Sequence, residues 1–226
     1  MDFNERTKLI IDDSKLHDSC VAVFGLGGVG SYTAEALVRA GIGKLVICDN
    51  DFINESNINR QLLALHSTVG RTKAGVAIER YLDINPDLEI HAFDEFILPD
   101  NIDYFFDKLL VKPDYVADCI DTVSGKLAII SKCKALGIPV ISSMGTGNKL
   151  HPEKFRITDI SRTSVCPLCK VMRRELRERG INDVRVLFSE EEPIKTGDTA
   201  IGSISTVPSV AGLLIANHII QELIPD

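Results

Sequence analysis

Residues Cys20 to Asp49 (CVAVFGLGGVGSYTAEALVRAGIGKLVICD) restrict the fold of this chain more than any other stretch. An apolar run, Val21 to Phe24, meets a turn containing Gly25, Gly27, Gly28 and Gly30. A helix through about Arg39 and a second strand, Lys44 to Asp49, follow. This is a βαβ unit opened by a GxGxxG turn. Glycine is required there because the turn is tight, the backbone must come close to a phosphate, and the helix must pack hard on the strand. The first turn of the helix offers unpaired N–H groups and the positive end of a dipole to an anion. Asp49 ends the second strand, where a carboxylate reaches ribose hydroxyls. A bound nucleotide is therefore expected. The same fingerprint serves NAD, FAD and adenylate chemistry, so it does not choose the reaction, and a dehydrogenase is the default reading.

The residues after Asp49 change that default. The loop Asn50 to Gly70 is too polar for a strand and carries Asn57, Arg60 and Gln61; Lys73 opens a helix expected over Thr72 to Tyr81. Two cations beside a phosphate-binding turn suit a triphosphate whose pyrophosphate must leave. The competing reading is that Arg60 and Lys73 are ordinary solvated charges. Further strands are expected at Glu89 to Phe93, Tyr115 to Ile120 and Pro139 to Met144, with helices at Asn101 to Leu109 and Lys126 to Leu136. Asp121, at the carboxyl end of its strand, is a candidate Mg²⁺ ligand, since Mg²⁺ on phosphates takes one or two carboxylates and keeps its waters. It could equally cap the helix starting near Ser124.

Beyond residue 147 the pattern changes. Lys154 to Ile160 alternates as a strand, Cys166 to Arg179 reads as a basic helix with Leu168, Val171, Met172 and Leu176 as its buried stripe, and Val184 to Phe188 is a strand. A flexible connection, Glu190 to Ala200, leads to an apolar helix, Ser209 to Leu223. The chain carries a net charge of −7, yet Lys149 to Arg185 holds ten basic residues against five acidic. Clustered Arg and Lys suit the phosphate backbone of a nucleic acid, so Arg173, Arg174, Arg177 and Arg179 are candidate contacts to such a backbone; a solvated helix face is the alternative.

The expected architecture is α/β: a Rossmann-like, doubly wound, mostly parallel sheet with a C-terminal extension of further strands and helices. One domain spans 1–226, with an N-terminal arm (1–19), a nucleotide-binding core (20–147) and a basic substrate-side segment with closing helix (148–226). Cys20, Cys48, Cys119 and Cys133 fall in apolar patterns where a thiol acts as a small hydrophobe, and no disulfide is expected. Neither a signal sequence nor an apolar run of membrane-spanning length is evident, so a cytoplasmic location is expected.

The series GLGGVGS, DNDFINESNINRQ from Asp49, Lys73 and the strand end CIDTV resembles the adenylating superfamily of ubiquitin-activating-type and bacterial sulfur-carrier enzymes. The segment SSMGTGNKLHPEKFRITDISRTSVCPLCKVMRRELRERGI is similar to that of the tRNA threonylcarbamoyladenosine dehydratases. The resemblance implies ATP-dependent cyclisation of threonylcarbamoyladenosine at position 37 of tRNA through adenylation of the threonyl carboxylate. It implies that Gly25, Gly27 and Gly28 line an ATP site, that Asp49 holds the ribose, and that Asn57, Arg60, Gln61 and Lys73 surround the phosphates. Asp121 would position Mg²⁺, and Arg6 would reach the phosphates of a second copy in a homodimer. Arg60, Lys73, Asp121 and Arg6 are then the catalytic candidates. The alternative is adenylation of the Gly-Gly terminus of a small sulfur-carrier protein. Such adenylyltransferases commonly carry two CxxC pairs that fit a four-thiolate zinc site, whereas only Cys166 and Cys169 are paired here, so zinc is not expected and the pair is read as structural on the basic helix. Glu190 to Ala200 also contains no cysteine to accept an acyl group, which cyclisation does not need.

Overall fold

The computed structural model describes residues 3–197 and 200–224. Met1, Asp2, Asp198, Thr199, Pro225 and Asp226, which belong to the expected arm, connection and closing segment, lie outside the described residues. In chain order the elements are α1 (Ser14–Asp18), β1 (Cys20–Phe24), α2 (Gly30–Ala40), β2 (Lys44–Cys48), α3 (Lys73–Ile84), β3 (Glu89–Phe93) and α4 (Ile102–Asp107). Then come β4 (Tyr115–Asp118), α5 (Val123–Leu136), β5 (Val140–Ser143), β6 (Phe155–Asp159), α6 (Pro167–Glu178), β7 (Arg185–Ser189) and α7 (Thr206–Leu223).

The strands form one sheet in the order β3-β2-β1-β4-β5-β7-β6. All neighbours run parallel except β6, which is antiparallel to β7 and ends the sheet. The apolar strands are buried on both faces, as parallel strands covered by crossover helices must be. Val21 and Val23 of β1 join one core with α2, α3 and α7; Cys20, Ala22 and Phe24 join the other with α4, α5 and α6. The α/β expectation is met, including the C-terminal strand pair and closing helix.

The last helix lies directly on α2. A side chain at Gly212 would meet the Val29 carbonyl oxygen at 2.3 Å, and the Thr33 hydroxyl donates to the Gly212 carbonyl at 3.1 Å. Glu35 joins α2 to α3 through Arg80, and also pairs with Arg39 at 2.8 Å. Burial alone would raise the Glu35 carboxyl; the two guanidinium groups outweigh it and hold the group below its ordinary range.

Helix α6 corrects the expected buried stripe. Val171 is 38% exposed, whereas Cys169 is fully buried with Met172 and Leu176. The helix starts at Pro167, and packing against α5 selects the i, i+3, i+7 row from Cys169.

Helix α3 positions the candidate lysine, and its start is set by Thr72, whose hydroxyl accepts the Gly75 N–H at 3.2 Å. Thr72→Ala should lower stability by about 1 kcal/mol. Urea unfolding would register this as a lower midpoint with an unchanged slope.

Candidate functional site

The strand order reverses between β1 and β4, which opens a crevice at their carboxyl ends. The glycine turn leaves β1 on one side, and Cys119 to Asp121 leave β4 on the other. Gly25 sits at φ +86°, and a side chain there would press on the Cys119 carbonyl oxygen at 2.9 Å. Only glycine allows the two chain segments to approach this closely.

The crevice widens into a cleft of about 1150 Å³. Gly25, Gly27 and Gly28 line it, as do Asp49, Asn57, Arg60, Gln61 and Lys73, with Asp121 in the turn between β4, which stops at Asp118 rather than at the expected Ile120, and α5. The fold thus brings together every candidate of the nucleotide-binding core. Arg6, Arg173, Arg174, Arg177 and Arg179 do not line the cleft.

Asp49 is held on three sides. One carboxylate oxygen accepts the Leu26 N–H at 2.6 Å, the other accepts the Asp51 N–H at 2.9 Å, and the Lys73 ammonium lies 3.6 Å away. Burial pushes the Asp49 carboxyl up, while Lys73 and the two N–H groups pull it back. Lys73 is itself buried and donates to Asp51 at 2.7 Å, a partner that sequence reading did not identify. Arg60 folds back on its own loop, donating to the Ser56 carbonyl and the Asn59 side-chain oxygen, each at 2.8 Å. The Gln61 side-chain oxygen is buried and has no hydrogen-bond partner.

One part of the far wall is marked in the sequence, where the glycine pair of MGTGNK (Gly145 and Gly147) is expected to turn over the crevice; the other is not. Ser143, which ends β5, the following Met144 to Gly147, and Ile201 and Ser203, before α7, all line the cleft. Asn148 joins these segments: its N–H donates to Gly202 at 2.8 Å and its side-chain oxygen accepts the Gly202 N–H at 2.6 Å. Within the connection expected to be flexible, the Ile194 N–H donates to the Asn148 carbonyl at 2.8 Å. The Glu191 carboxylate accepts the Leu150 and His151 N–H groups at 3.0 and 2.9 Å. The described part of that connection is therefore anchored to the cleft wall.

Helix α5 begins at Val123 with Thr122 in the cap position, so Asp121 is not its cap and remains exposed at the cleft. Behind it lies a buried cluster that no local pattern signalled. Lys126 contacts both Asp118 carboxylate oxygens at 3.2 Å and donates to the Ser143 carbonyl at 2.7 Å, and the Ser142 hydroxyl donates to Asp118 at 2.5 Å.

Helix α6 abuts the cleft through Leu168. Arg173 donates to the Thr163 carbonyl at 2.9 Å, Arg174 pairs with Glu175 at 2.7 Å, and Arg179 pairs with Glu175 at 3.1 Å. Arg177 is exposed. The basic face is partly neutralised by its own glutamates. Among the described residues, no helix is long and apolar enough to cross a membrane.

The chain is 41% identical, over 229 residues, to the tRNA threonylcarbamoyladenosine dehydratase of Bacillus subtilis, covering 93% of this chain and 89% of that one. The protein of the same name from Escherichia coli is 39% identical over 160 residues, or 71% of this chain and 59% of that one. The crystal structure of the E. coli enzyme in complex with ATP superposes with a TM-score of 0.89 at 32% identity, covering 98% of this chain and 93% of that one. The ThiF family model matches residues 6–225, which include every element of the sheet and both walls of the cleft. The chain belongs to the ThiF family.

Proposed function

We propose that this chain is an ATP-dependent tRNA threonylcarbamoyladenosine dehydratase, which cyclises the modified adenosine at position 37 by adenylating the threonyl carboxylate. The observation that carries this reading is the cleft itself. A glycine turn, two cations, Gln61 and the exposed Asp121 converge in one space beside a basic helix. The B. subtilis and E. coli relatives, which bear that enzyme's name, support it. So does the ATP held by the E. coli structure.

ATP supplies the activated phosphorus that the carboxylate attacks, with pyrophosphate leaving. The chain's own contribution is positioning and charge. The glycine turn brings backbone close to the phosphates, and Asp49, fixed by Leu26 and Asp51, presents an acceptor to the ribose. Lys73 and Arg60 offset the charge that accumulates when carboxylate and triphosphate meet. Lys73 leaves Asp51 to do so, and Arg60 swings from Ser56 and Asn59. The substrate's own carbamoyl group then attacks the activated carbonyl and expels AMP, so no protein base or acyl-accepting cysteine is needed. Asp121 fits a Mg²⁺ ion carried with the phosphates. Among the described residues, no three His, Cys, Asp or Glu side chains gather into a cage, and a phosphate-borne Mg²⁺ needs one or two carboxylates.

We also assign tRNA contact to the α6 face bearing Arg173, Arg174, Arg177 and Arg179, and a homodimer in which Arg6 serves the partner's cleft. Arg6 is exposed on an arm where Leu9 and Ile10 are 81% and 83% exposed, apolar surface that a second copy would cover.

The test is AMP formation from ATP and Mg²⁺, with and without tRNA carrying the linear modification, followed by mass analysis of the nucleoside. Stimulation by that tRNA and a nucleoside lighter by one water are expected. AMP formation indifferent to tRNA but dependent on a small protein ending in Gly-Gly would transfer the substrate assignment to a sulfur carrier.

A further inference from the structure

Cys166 and Cys169 have no part in the chemistry above, yet their setting is unlike that of the other four cysteines. Cys166 occupies the N-cap of α6, and its sulfur accepts the Cys169 N–H at 3.4 Å. Two cysteines at i and i+3 on the first turn of a helix lie within reach of a disulfide. The pair is asymmetric: Cys166 keeps 5% of its surface and Cys169 none. The Cys166 thiol is held below the usual range, first by the Cys169 thiol and then, against burial, by the N–H groups of Cys169 and Gly145 and by Lys149. Lys149 is buried, with its ammonium bound to the Glu191 carbonyl; burial pulls that ammonium down, and Cys166, Glu191 and Cys169 push it back up. These are the features that make a thiol reactive at a helix N-terminus: a stabilised thiolate on the outer cysteine and a buried resolving cysteine behind it.

Two further observations tie the pair to the cleft. Val165, immediately before Cys166, is a β-branched residue at φ +46°, a left-handed conformation that costs energy and marks a locally strained entry to the helix. Gly145, whose N–H faces the Cys166 sulfur, belongs to the Ser143 to Gly147 wall of the cleft, and Leu168, between the two cysteines, lines the cleft as well.

We propose that Cys166 and Cys169 form a reversible disulfide that couples the thiol-disulfide state of the surroundings to the Gly145 wall of the nucleotide cleft. With a low-molecular-weight disulfide as oxidant, the Cys166 thiolate attacks one of its sulfurs and expels the first thiolate. The Cys169 thiol then loses its proton, attacks the Cys166 sulfur of the mixed disulfide and expels the second. Two electrons pass to the small disulfide, which leaves as two thiols once the released protons are taken up. Cys166 is then no longer an anion, and the Gly145 N–H loses a charged acceptor.

The experiment equilibrates the full chain in mixtures of reduced and oxidised glutathione, quenches it in acid, and maps thiols by alkylation after unfolding. One intramolecular disulfide joining Cys166 to Cys169 is expected, with Cys20, Cys48, Cys119 and Cys133 alkylated throughout. Cys169→Ser should trap glutathione on Cys166, and Cys166→Ser should trap none. A pair that stays reduced across the glutathione range, or a disulfide formed between other cysteines, would overturn the proposal. The second arm rests on the nucleotide reading of the cleft and compares ATP binding by the two forms. Weakening of about fivefold or more on oxidation is expected for a coupled site. Equal affinity in the two forms overturns the coupling. A reduced form that does not bind ATP at all counts instead against the nucleotide reading.

Discussion

Lys73→Ala is expected to lower tRNA-dependent AMP release by about 10²- to 10³-fold, the usual cost of removing one fixed charge or donor aimed at a developing anion. Lys73 is the most firmly placed cation of the cleft: it is buried, it starts α3, and it is bracketed by Asp51 at 2.7 Å and Asp49 at 3.6 Å. Arg60→Ala should cost less at the ground state, because Arg60 rests on its own loop in the unliganded chain. Single-turnover measurements with saturating tRNA would separate the chemical step from binding. Wild-type rates in Lys73→Ala would remove Lys73 from the phosphate site.

The same variant carries a stability signature with a definite sign. Burial already pushes the Asp49 carboxyl up, and Lys73 is the main group opposing it. Without the ammonium, the folded-state value rises further above that of the unfolded chain. The variant's deficit relative to wild type should therefore be largest near neutral pH, where Asp49 must ionise beside no cation. It should shrink as pH falls through the raised value and Asp49 takes up a proton. Urea midpoints of both proteins between neutral and mildly acidic pH would show the curves converging. Parallel curves would mean that Lys73 and Asp49 are not electrostatically coupled.

The largest expected loss of stability lies behind the cleft. Lys126→Met removes the only cation within reach of Asp118 among the described residues and leaves a carboxylate in the core with the Ser142 hydroxyl and the Ile120 N–H as remaining donors. Breaking one side of a buried ion pair costs about 3–5 kcal/mol, a large share of the roughly 5–15 kcal/mol that holds a domain together. Pairing it with Asp118→Asn should cost less than the two single changes added, because no charge is then left stranded. Additive losses would mean that the two groups act independently. The cluster also matters to the site, since Lys126 holds the Ser143 carbonyl at the start of the far wall and Asp118 holds the Ile120 N–H just before Asp121. Lys126→Met protein that remains folded should thus lose nucleotide affinity.

Lys126 lies in the first turn of its helix, and nothing in its local pattern distinguishes a buried lysine from an exposed one. Its partner is eight residues earlier, at the end of a strand, and Ser142 is on another strand. Val171 and Cys169 exchanged roles for a related reason: helical periodicity names a stripe, but packing against α5 chooses which row of the stripe turns inward. Asp51, a carboxylate in a polar loop, carries no local sign of a partner until the chain folds Lys73 against it.

What could be read without coordinates was whatever depends on local backbone demands. A GxGxxG turn permits few conformations, the alternation of apolar runs with helical repeats prescribes parallel strands joined by crossover helices, and strand ends in such a sheet converge at one crevice. Hence Gly25, Asp49, Lys73 and Asp121 could be grouped from their positions at element boundaries alone. Which groups touch across the sheet could not be read in this way. The Asn148 to Gly202 bonds that join the two cleft segments, the Asp118 to Lys126 pair and the Cys166 to Gly145 contact bring together residues whose separation along the chain carries no period. Such contacts arise when desolvation removes water as a competing partner and each buried polar group must find another within reach.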